Sequence, residues 1–337
     1  MIDISTIPDE QLTQTLRLLK GQFKERDWTA EIPYLGSSHC FIDRGDGKKL
    51  HIFSATPPTS SYAAAQLAND KFGTYQLLSG TGLPQPETHL LRSSESLDEA
   101  ITFMQRAIKV VIKPVDGGHG KGITVNISTK EQLRRAITTA EAEEKSISAV
   151  LIQQQYMHDT ILEVRILCID YKFSAATWRV AARVYGDGTS TVGALIDAEN
   201  MSEERGRPYF ARLAVIDVEK AKEYLGEHIN DVPVVNEEVY VLGIANYGAG
   251  GETIDITDAL PDWLKQMAEA AAHACNLPVI GVDFMLAAMP TVESAVDALD
   301  PTIIEVNKCP SLSIHQAPTS GQSRNVVKTY VDYLSML

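Results

Sequence analysis

Residues 110–124 read Val-Val-Ile-Lys-Pro-Val-Asp-Gly-Gly-His-Gly-Lys-Gly-Ile-Thr. A β-branched run ends in Lys113. A loop follows with four glycines, Gly117, Gly118, Gly120 and Gly122, interleaved with His119 and Lys121, and strand-like spacing resumes at Ile123 to Ile127. Glycine lets backbone N–H groups approach an anion closely and accepts positive φ. Successive N–H groups in such a turn form a concave nest for phosphate oxygens. Lys113 would add fixed positive charge beside that nest, and the ligand suited to it is a nucleotide polyphosphate. The plain alternative is a glycine-rich hairpin turn that binds nothing. A standard P-loop and a Rossmann turn are excluded here, because these glycines lead into a strand and not into a helix.

A second constellation lies nearly two hundred residues downstream. Asp283 interrupts the apolar run Val279 to Leu286, and Glu305 and Asn307 sit in Thr302 to Asn307. A carboxylate inside an apolar strand is costly to bury unless charge or hydrogen bonds compensate it. Positions i and i+2 of a strand share a face, so Glu305 and Asn307 point the same way, and Asp283 joins them if the two strands pair. Two carboxylates and an amide oxygen form a hard-oxygen set suited to Mg²⁺, which keeps several waters and leans on substrate phosphates. The competing reading pairs Asp283 and Glu305 with arginines at a strand edge.

Taken together these residues resemble the ATP-grasp superfamily of carboxylate–amine ligases, and within it the ATP-grasp portions of cyanophycin synthetase and of bifunctional bacterial glutathione synthetases. The resemblance runs from about residue 40 to the C-terminus. It is carried by Asn69-Asp70-Lys71 with the Gly82-Leu83-Pro84-Gln85-Pro86 turn, by the flap Lys113 to Gly122, and by Glu163-Val164-Arg165. Further blocks are Arg179 with Gly186-Asp187-Gly188, Asn200 with Arg205-Gly206, and Asn246 to Gly251 with Asp255-Ile256-Thr257-Asp258. Asp283, Glu305, Asn307, Pro310 and His315 complete it. The resemblance implies a mixed α/β (α+β) ATP-grasp fold of three lobes, with the nucleotide between the central and C-terminal lobes. Their expected limits are 1–89 for an N-terminal lobe carrying Lys71, 90–160 for a central lobe with the flap, and 161–337 for a C-terminal lobe with metal and substrate sites.

It also implies roles. Lys71 and Lys113 would contact the α- and β-phosphates, with Gly117, Gly118, His119, Gly120 and Lys121 closing over them. Gln154 or Gln155 would stand at the adenine edge, where the family usually has Glu. Asp283, Glu305 and Asn307 would hold one or two Mg²⁺ ions, with Mn²⁺ as a substitute. Arg165 and Arg179 would join Lys113 at the reacting centre, the alternative being salt bridges with Glu163 or Asp187. Asn246, Gly250 and Gly251 would shape an acceptor pocket, with backbone amides of the glycines facing a carboxylate. His315 would orient a substrate or serve as an ordinary hydrogen-bonded histidine. The implied reaction joins amino acids, or extends a peptide, through an acyl phosphate, releasing ADP and phosphate. A catalytically silent nucleotide-binding regulator or scaffold is the alternative. The chain has no room for the relatives' second catalytic halves, so one ATP site and one kind of bond are expected. Two departures from the family pattern stand out: Gly243 where an arginine is expected, and a long spacer between Asp283 and Glu305.

Composition narrows the context. A chain of 337 residues predicts two or three lobes. The net charge of −14 argues against general nucleic-acid binding. No apolar run approaches the roughly 20 residues that span a bilayer, and Met1 to Ser5 lacks a basic n-region. Cys40, Cys168, Cys275 and Cys309 are far apart and lack metal-ligand spacing. A cytoplasmic protein with reduced thiols is expected, acting on amino-acid or peptide substrates, with a homo-oligomer left open.

The elements that must position these side chains are partly legible. Leu12, Leu16, Leu19 and Phe23 predict an amphipathic helix within 9–27. Strands are expected around the turn Arg44-Gly45-Asp46-Gly47. One helical run is expected from Tyr62 towards Leu78, stopped by Gly82 and Pro84. Ser128-Thr129-Lys130-Glu131 reads as a capping box, opening a helix between the flap and a strand at Val150-Leu151-Ile152. Leu162 to Val184 reads as a long hairpin turning at Asp170-Tyr171. Helices are expected at Trp263 to Asn276 and after Gly321, and residues 195–240 form a charged insertion with no assigned structure.

Overall fold

The computed structural model describes residues 1–92, 97–116, 121–143, 149–158, 161–207 and 210–337. Three antiparallel sheets organise it. The first joins Ile2–Asp3, Thr29–Ile32, His39–Asp43 and Lys49–Phe53 in sequence order. The second has the order Thr88–Arg92, Ala149–Gln154, Val110–Pro114, Thr124–Ile127. The third has the order Glu252–Asp255, Lys172–Val180, Leu162–Ile169, Val279–Leu286, Thr302–Asn307. The expected boundary between residues 89 and 90 falls inside the strand Thr88–Arg92, which pairs with Ala149–Gln154 in the central sheet.

Alternation decides what each sheet presents. In the central sheet, Val110, Ile112, Val150 and Ile152 pack against the helices Leu97–Ala107 and Lys130–Glu143 through Ile101, Phe103, Leu133 and Ala136. Lys113, Leu151 and Gln153 alternate with them and face the opposite way. In the C-terminal sheet, Val164, Ile166, Cys168, Ile280, Val282 and Phe284 pack on the helix Asp262–Cys275. Their alternating neighbours on Leu162–Ile169 are Glu163, Arg165, Leu167 and Ile169. That second face changes character along one strand. Leu167 and Ile169 join the core of the N-terminal sheet, where Leu16, Leu19, Phe23, Ile42 and Tyr330 are buried. Glu163 and Arg165 lie beyond that core, where apolar packing gives way to charged side chains.

Several local expectations are corrected. The run from Tyr62 to Leu78 is two helices, Tyr62–Leu67 and Lys71–Ser79. Asp70 breaks it by accepting a hydrogen bond from the Gly73 N–H at 2.8 Å, a side-chain cap that starts a new helix. Lys71 is thereby the first residue of that helix, and its N–H donates to the Val115 carbonyl at 3.1 Å, beside the flap. The capping box stands one residue later than expected. Gln132 N–H donates to Thr129 Oγ1 at 3.3 Å, and Gln132 Oε1 accepts from the Thr129 N–H at 3.2 Å. The insertion has its own small core of Val184, Val192, Ile196, Ile216, Ala221 and Val241, built on the helices Val192–Asn200 and Val218–Leu225. The hairpin ends at Val180, and Arg183–Tyr185 leaves it to pair with Glu238–Tyr240 at the root of that insertion. The four cysteines are free thiols. Among the described residues no helix is long and apolar enough to cross a membrane.

Candidate active site

A cleft opens between the central sheet, the helix Lys71–Ser79 and the strand Thr302–Asn307. Lys71, Thr74, Gln85, Thr88, Lys113, Gln153 and Glu305 supply its polar lining. Lys113 is only 7% exposed. Its Nζ donates to Gln153 Oε1 at 3.0 Å, and Gln153 Nε2 donates to Thr88 Oγ1 at 2.8 Å. Burial pulls the Lys113 ammonium down to about 8, Glu305 opposing that shift and Lys71 adding to it. Lys71 Nζ stands 3.8 Å from Glu305 Oε1 across the mouth of the cleft. The two expected phosphate lysines and one expected metal carboxylate therefore meet in one place.

Behind Glu305 runs a polar row across the whole C-terminal sheet. Strand register places Asp255 opposite Thr177, Thr177 opposite Arg165, Arg165 opposite Asp283, and Asp283 opposite Glu305. Gly281 lies opposite Asn307, so Asp283, Glu305 and Asn307 share one face. Asp283 is 1% exposed. Arg165 grips it with Nε on Oδ1 and with Nη2 on Oδ2 at 2.6 Å. Arg179 Nη1 and Asn307 Nδ2 reach Oδ2 at 3.4 Å and 3.3 Å. Arg179 also binds Glu163 Oε1 at 2.5 Å. Burial lifts the Glu163 carboxyl above the usual carboxylate range, with Arg179 holding it back. For Asp283 and Arg179 the salt-bridge reading is thus the arrangement present.

Among the described residues no three His, Cys, Asp or Glu side chains converge as a metal site. The oxygen set is mixed instead, two carboxylates and an amide, which suits a hard cation. Its chemistry fits Mg²⁺, with the qualification that Arg165 now engages Asp283.

The remaining candidates fall in different places. Gly117, Gly118, His119 and Gly120 lie outside the described residues, while Lys121 is exposed beside them. Gln154 is exposed, and Gln155 is engaged with Asn126, accepting from its N–H at 2.6 Å and donating to its Oδ1 at 2.9 Å. Gln153, not singled out from the sequence, is the glutamine that lines the cleft. His315 is 1% exposed, its Nδ1 lies 3.2 Å from Thr177 Oγ1, and its Nε2 has no partner among the described residues. Burial, with Arg165 adding to it, pushes the imidazole down to about 3, so it is neutral.

In the loop Asn246 to Gly251, expected to shape an acceptor pocket, the glycine amides already have partners. Gly250 N–H donates to Tyr247 O at 3.1 Å and Gly251 N–H to Asn246 O at 3.0 Å, so both amides are engaged inside the loop. The glycines are needed for close approach. A Cβ on Gly250 would stand 2.8 Å from Ile216 Cα, and one on Gly251 would stand 2.6 Å from Val180 O. Two arginines hold the loop by its carbonyls: Arg179 Nη2 on Ala245 at 2.5 Å, and Arg205 Nη1 on Gly250 at 3.0 Å. Asn246 caps the turn by accepting from the Gly248 N–H at 2.9 Å. Gly243 also has a packing reason, since a Cβ there would stand 2.7 Å from the Tyr224 ring. An arginine at 243 would displace that ring.

Comparison with known proteins agrees with this architecture. Residues 68–205 match the RimK-like ATP-grasp domain. Cyanophycin synthetase of Crocosphaera subtropica is 31% identical over 338 residues, covering 98% of this chain and 38% of that protein. The Synechocystis cyanophycin synthetase is 33% identical over 310 residues, covering 90% of this chain and 35% of its own length. The bifunctional glutathione biosynthesis protein of Enterococcus faecalis is 29% identical over 316 residues, covering 91% and 40%. The chain therefore spans less than half the length of these curated relatives. The crystal structure of a bifunctional glutathione synthetase from Pasteurella multocida superposes with a TM-score of 0.68 at 22% identity, covering 98% of this chain and 44% of that one, which establishes the shared fold. Residues 68–205 thus match a RimK-like ATP-grasp domain, the fold is shared with a bifunctional glutathione synthetase, and cyanophycin synthetase and bifunctional glutathione synthetase are among the chain's homologues.

Proposed function

We propose that the chain is an ATP-dependent carboxylate–amine ligase that forms an amide bond between amino acids, or onto a peptide, through an acyl phosphate. The observation that carries this reading is the meeting of Lys71, Lys113 and Glu305 in one cleft that borders the Arg165–Asp283 row. The reaction must bring two anions together, the terminal phosphate and the substrate carboxylate. Phosphoryl transfer asks mainly for positioning and charge stabilisation. Lys71 and Lys113 neutralise the phosphates from two sides, and Gln153 aims Lys113. Glu305, Asn307 and Asp283 are the residues that would hold Mg²⁺, which would supply further neutralisation of the triphosphate. Arg165 and Arg179 stand beside that set and stabilise the charge on the acyl phosphate. An amine then displaces phosphate from the acyl group, forming the amide and releasing ADP and phosphate in all. Neutral His315 and the loop Asn246 to Gly251 shape the side of the row away from Glu305.

In this reading residues 1–89, 90–160 and 161–337 act as the N-terminal, central and C-terminal lobes, and nucleotide binds between the last two. A silent scaffold has no need of a buried lysine aimed by a glutamine beside an acidic row. The deciding experiment measures ADP release and products by mass spectrometry over a panel of single amino acids, amino-acid pairs and short peptides. ADP release with one particular pair, abolished in Lys113→Ala and in Glu305→Ala with the fold retained, supports the ligase. No release with any member of the panel removes the reading.

A further inference from the structure

Arg165 caps both oxygens of the Asp283 carboxylate. Oδ2 faces three donors, Arg165 Nη2, Arg179 Nη1 and the Asn307 amide nitrogen, and Oδ1 faces Arg165 Nε, so the guanidinium bridges the edge a cation would approach. Glu305, opposite on the next strand, has a half-open side chain, and Lys71 Nζ stands 3.8 Å from it. The three candidate oxygen ligands are thus unequal. Glu305 can meet a cation directly, Asn307 presents only its oxygen to one, and Asp283 meets one only in competition with the Arg165 guanidinium on both its oxygens.

Arg165 is able to lie there because residue 281 is glycine. A Cβ at Gly281 would stand 2.9 Å from Arg165 Cδ and 3.1 Å from Pro310 Cβ. The stem of the arginine therefore crosses the backbone of the strand that carries Asp283. Without a bound anion, moving Arg165 off Asp283 would leave a buried guanidinium unpaired, which is strongly unfavourable. A triphosphate in the cleft supplies the missing anion.

We propose that Arg165 holds the place of the divalent cation on Asp283, and that the cation takes that carboxylate only together with nucleotide, as Arg165 transfers to the phosphate. The exchange links metal and nucleotide binding, and it delivers the guanidinium to the reacting phosphate as the site fills. This inference rests on the ligase reading, because it needs a metal-bound triphosphate as the arriving ligand.

The test is titration of the full chain with Mn²⁺ alone, free Mn²⁺ being read by electron paramagnetic resonance, and then with Mn²⁺ plus a non-hydrolysable ATP analogue. The analogue arm examines the ATP reading itself; the Mn²⁺-alone arm examines the exchange. The unaltered chain should bind Mn²⁺ alone weakly. Gly281→Ala, which pushes Arg165 aside without removing a charge, and Arg165→Met should each bind Mn²⁺ alone at least about tenfold more tightly. Adding Asp283→Asn to either should reverse the gain. Tight binding of Mn²⁺ alone by the unaltered chain overturns the proposal, as do folded variants that bind no better than it. Where neither variant gives a cooperative melt, the unaltered chain decides. Weak Mn²⁺ binding alone, with Mn²⁺ affinity in the presence of the analogue lowered by Asp283→Asn, supports the exchange, and Mn²⁺ bound alone and lost in Asp283→Asn refutes it.

Discussion

Gln153 accepts a hydrogen bond from Lys113 at 3.0 Å while donating to Thr88 at 2.8 Å, so one amide spans three strands of the central sheet. The amide fixes where the buried ammonium points before nucleotide arrives. Gln153→Leu removes the acceptor and leaves Lys113 to find its own rotamer. The expected outcome is a KM for ATP raised roughly tenfold with a smaller change in kcat, because losing a hydrogen bond to a charged group costs about 1.5–3 kcal/mol. Steady-state kinetics at varied ATP would check this, and an unchanged KM would show that Gln153 is only packing.

Lys113 gives the free chain and its nucleotide complex opposite responses to alkali. Burial pulls the ammonium down to about 8 in the fold, from the ordinary 10.5 of a free lysine. Between those values the unfolded chain binds more protons than the folded one, so the lysine's contribution to stability rises with pH across the window and is level on either side of it. The difference corresponds to about 3 kcal/mol at most. Affinity for a triphosphate should move the other way and weaken above pH 8 as the ammonium is lost. Melting temperatures of the empty chain and of Lys113→Met, with ATP affinity over pH 7–10, test both signs. Parallel pH profiles in the two proteins would exclude Lys113 as the source.

The parts legible in the sequence are those whose spacing alone implies a shared face. Glu305 and Asn307 are two apart on a strand, and the glycine loop lies between two strand-like runs. What was not legible depends on register or on partners far away. Gln153, Gln154 and Gln155 are chemically identical, and only the pairing of Gln153 with Thr88 and Val111 shows which one faces the cleft. The grip of Arg165 on Asp283 joins residues 118 positions apart. The glycines Gly250 and Gly251 were expected to turn backbone amides towards a carboxylate, and the sequence did not reveal that Ile216 and Val180 also come too close there for a side chain.

Arg205 fastens the insertion to the loop Asn246 to Gly251. Its side chain is almost fully buried, with Nη1 donating to Ala214 O at 2.7 Å and Gly250 O at 3.0 Å, and Nε to Glu199 at 2.9 Å. Arg205→Met should destabilise the fold by about 2–4 kcal/mol, since two buried carbonyls lose their donor. It should also raise the KM of the amine substrate more than that of ATP. Urea melts and kinetics with each substrate varied would check this. An equal effect on both KM values would place the damage in the whole fold and not in the loop.

The long spacer before Glu305 has a structural task of its own. Tyr156 OH donates to Asp300 O at 2.7 Å, and His158 Nε2 lies 2.7 Å from Asp300 Oδ2. Tyr156 and His158 belong to the segment that leaves the central sheet for the C-terminal one, so the spacer is tied to the connection between them. The Tyr156 bond is to backbone and the His158 contact is an exposed ion pair, which is worth little in water. Tyr156→Phe should therefore speed hydrogen exchange at residues 155–158 by roughly fivefold, the equivalent of about 1 kcal/mol. Asp300→Asn should change it far less. The reverse order would mean that the charge, and not the phenol, holds the spacer to this connection.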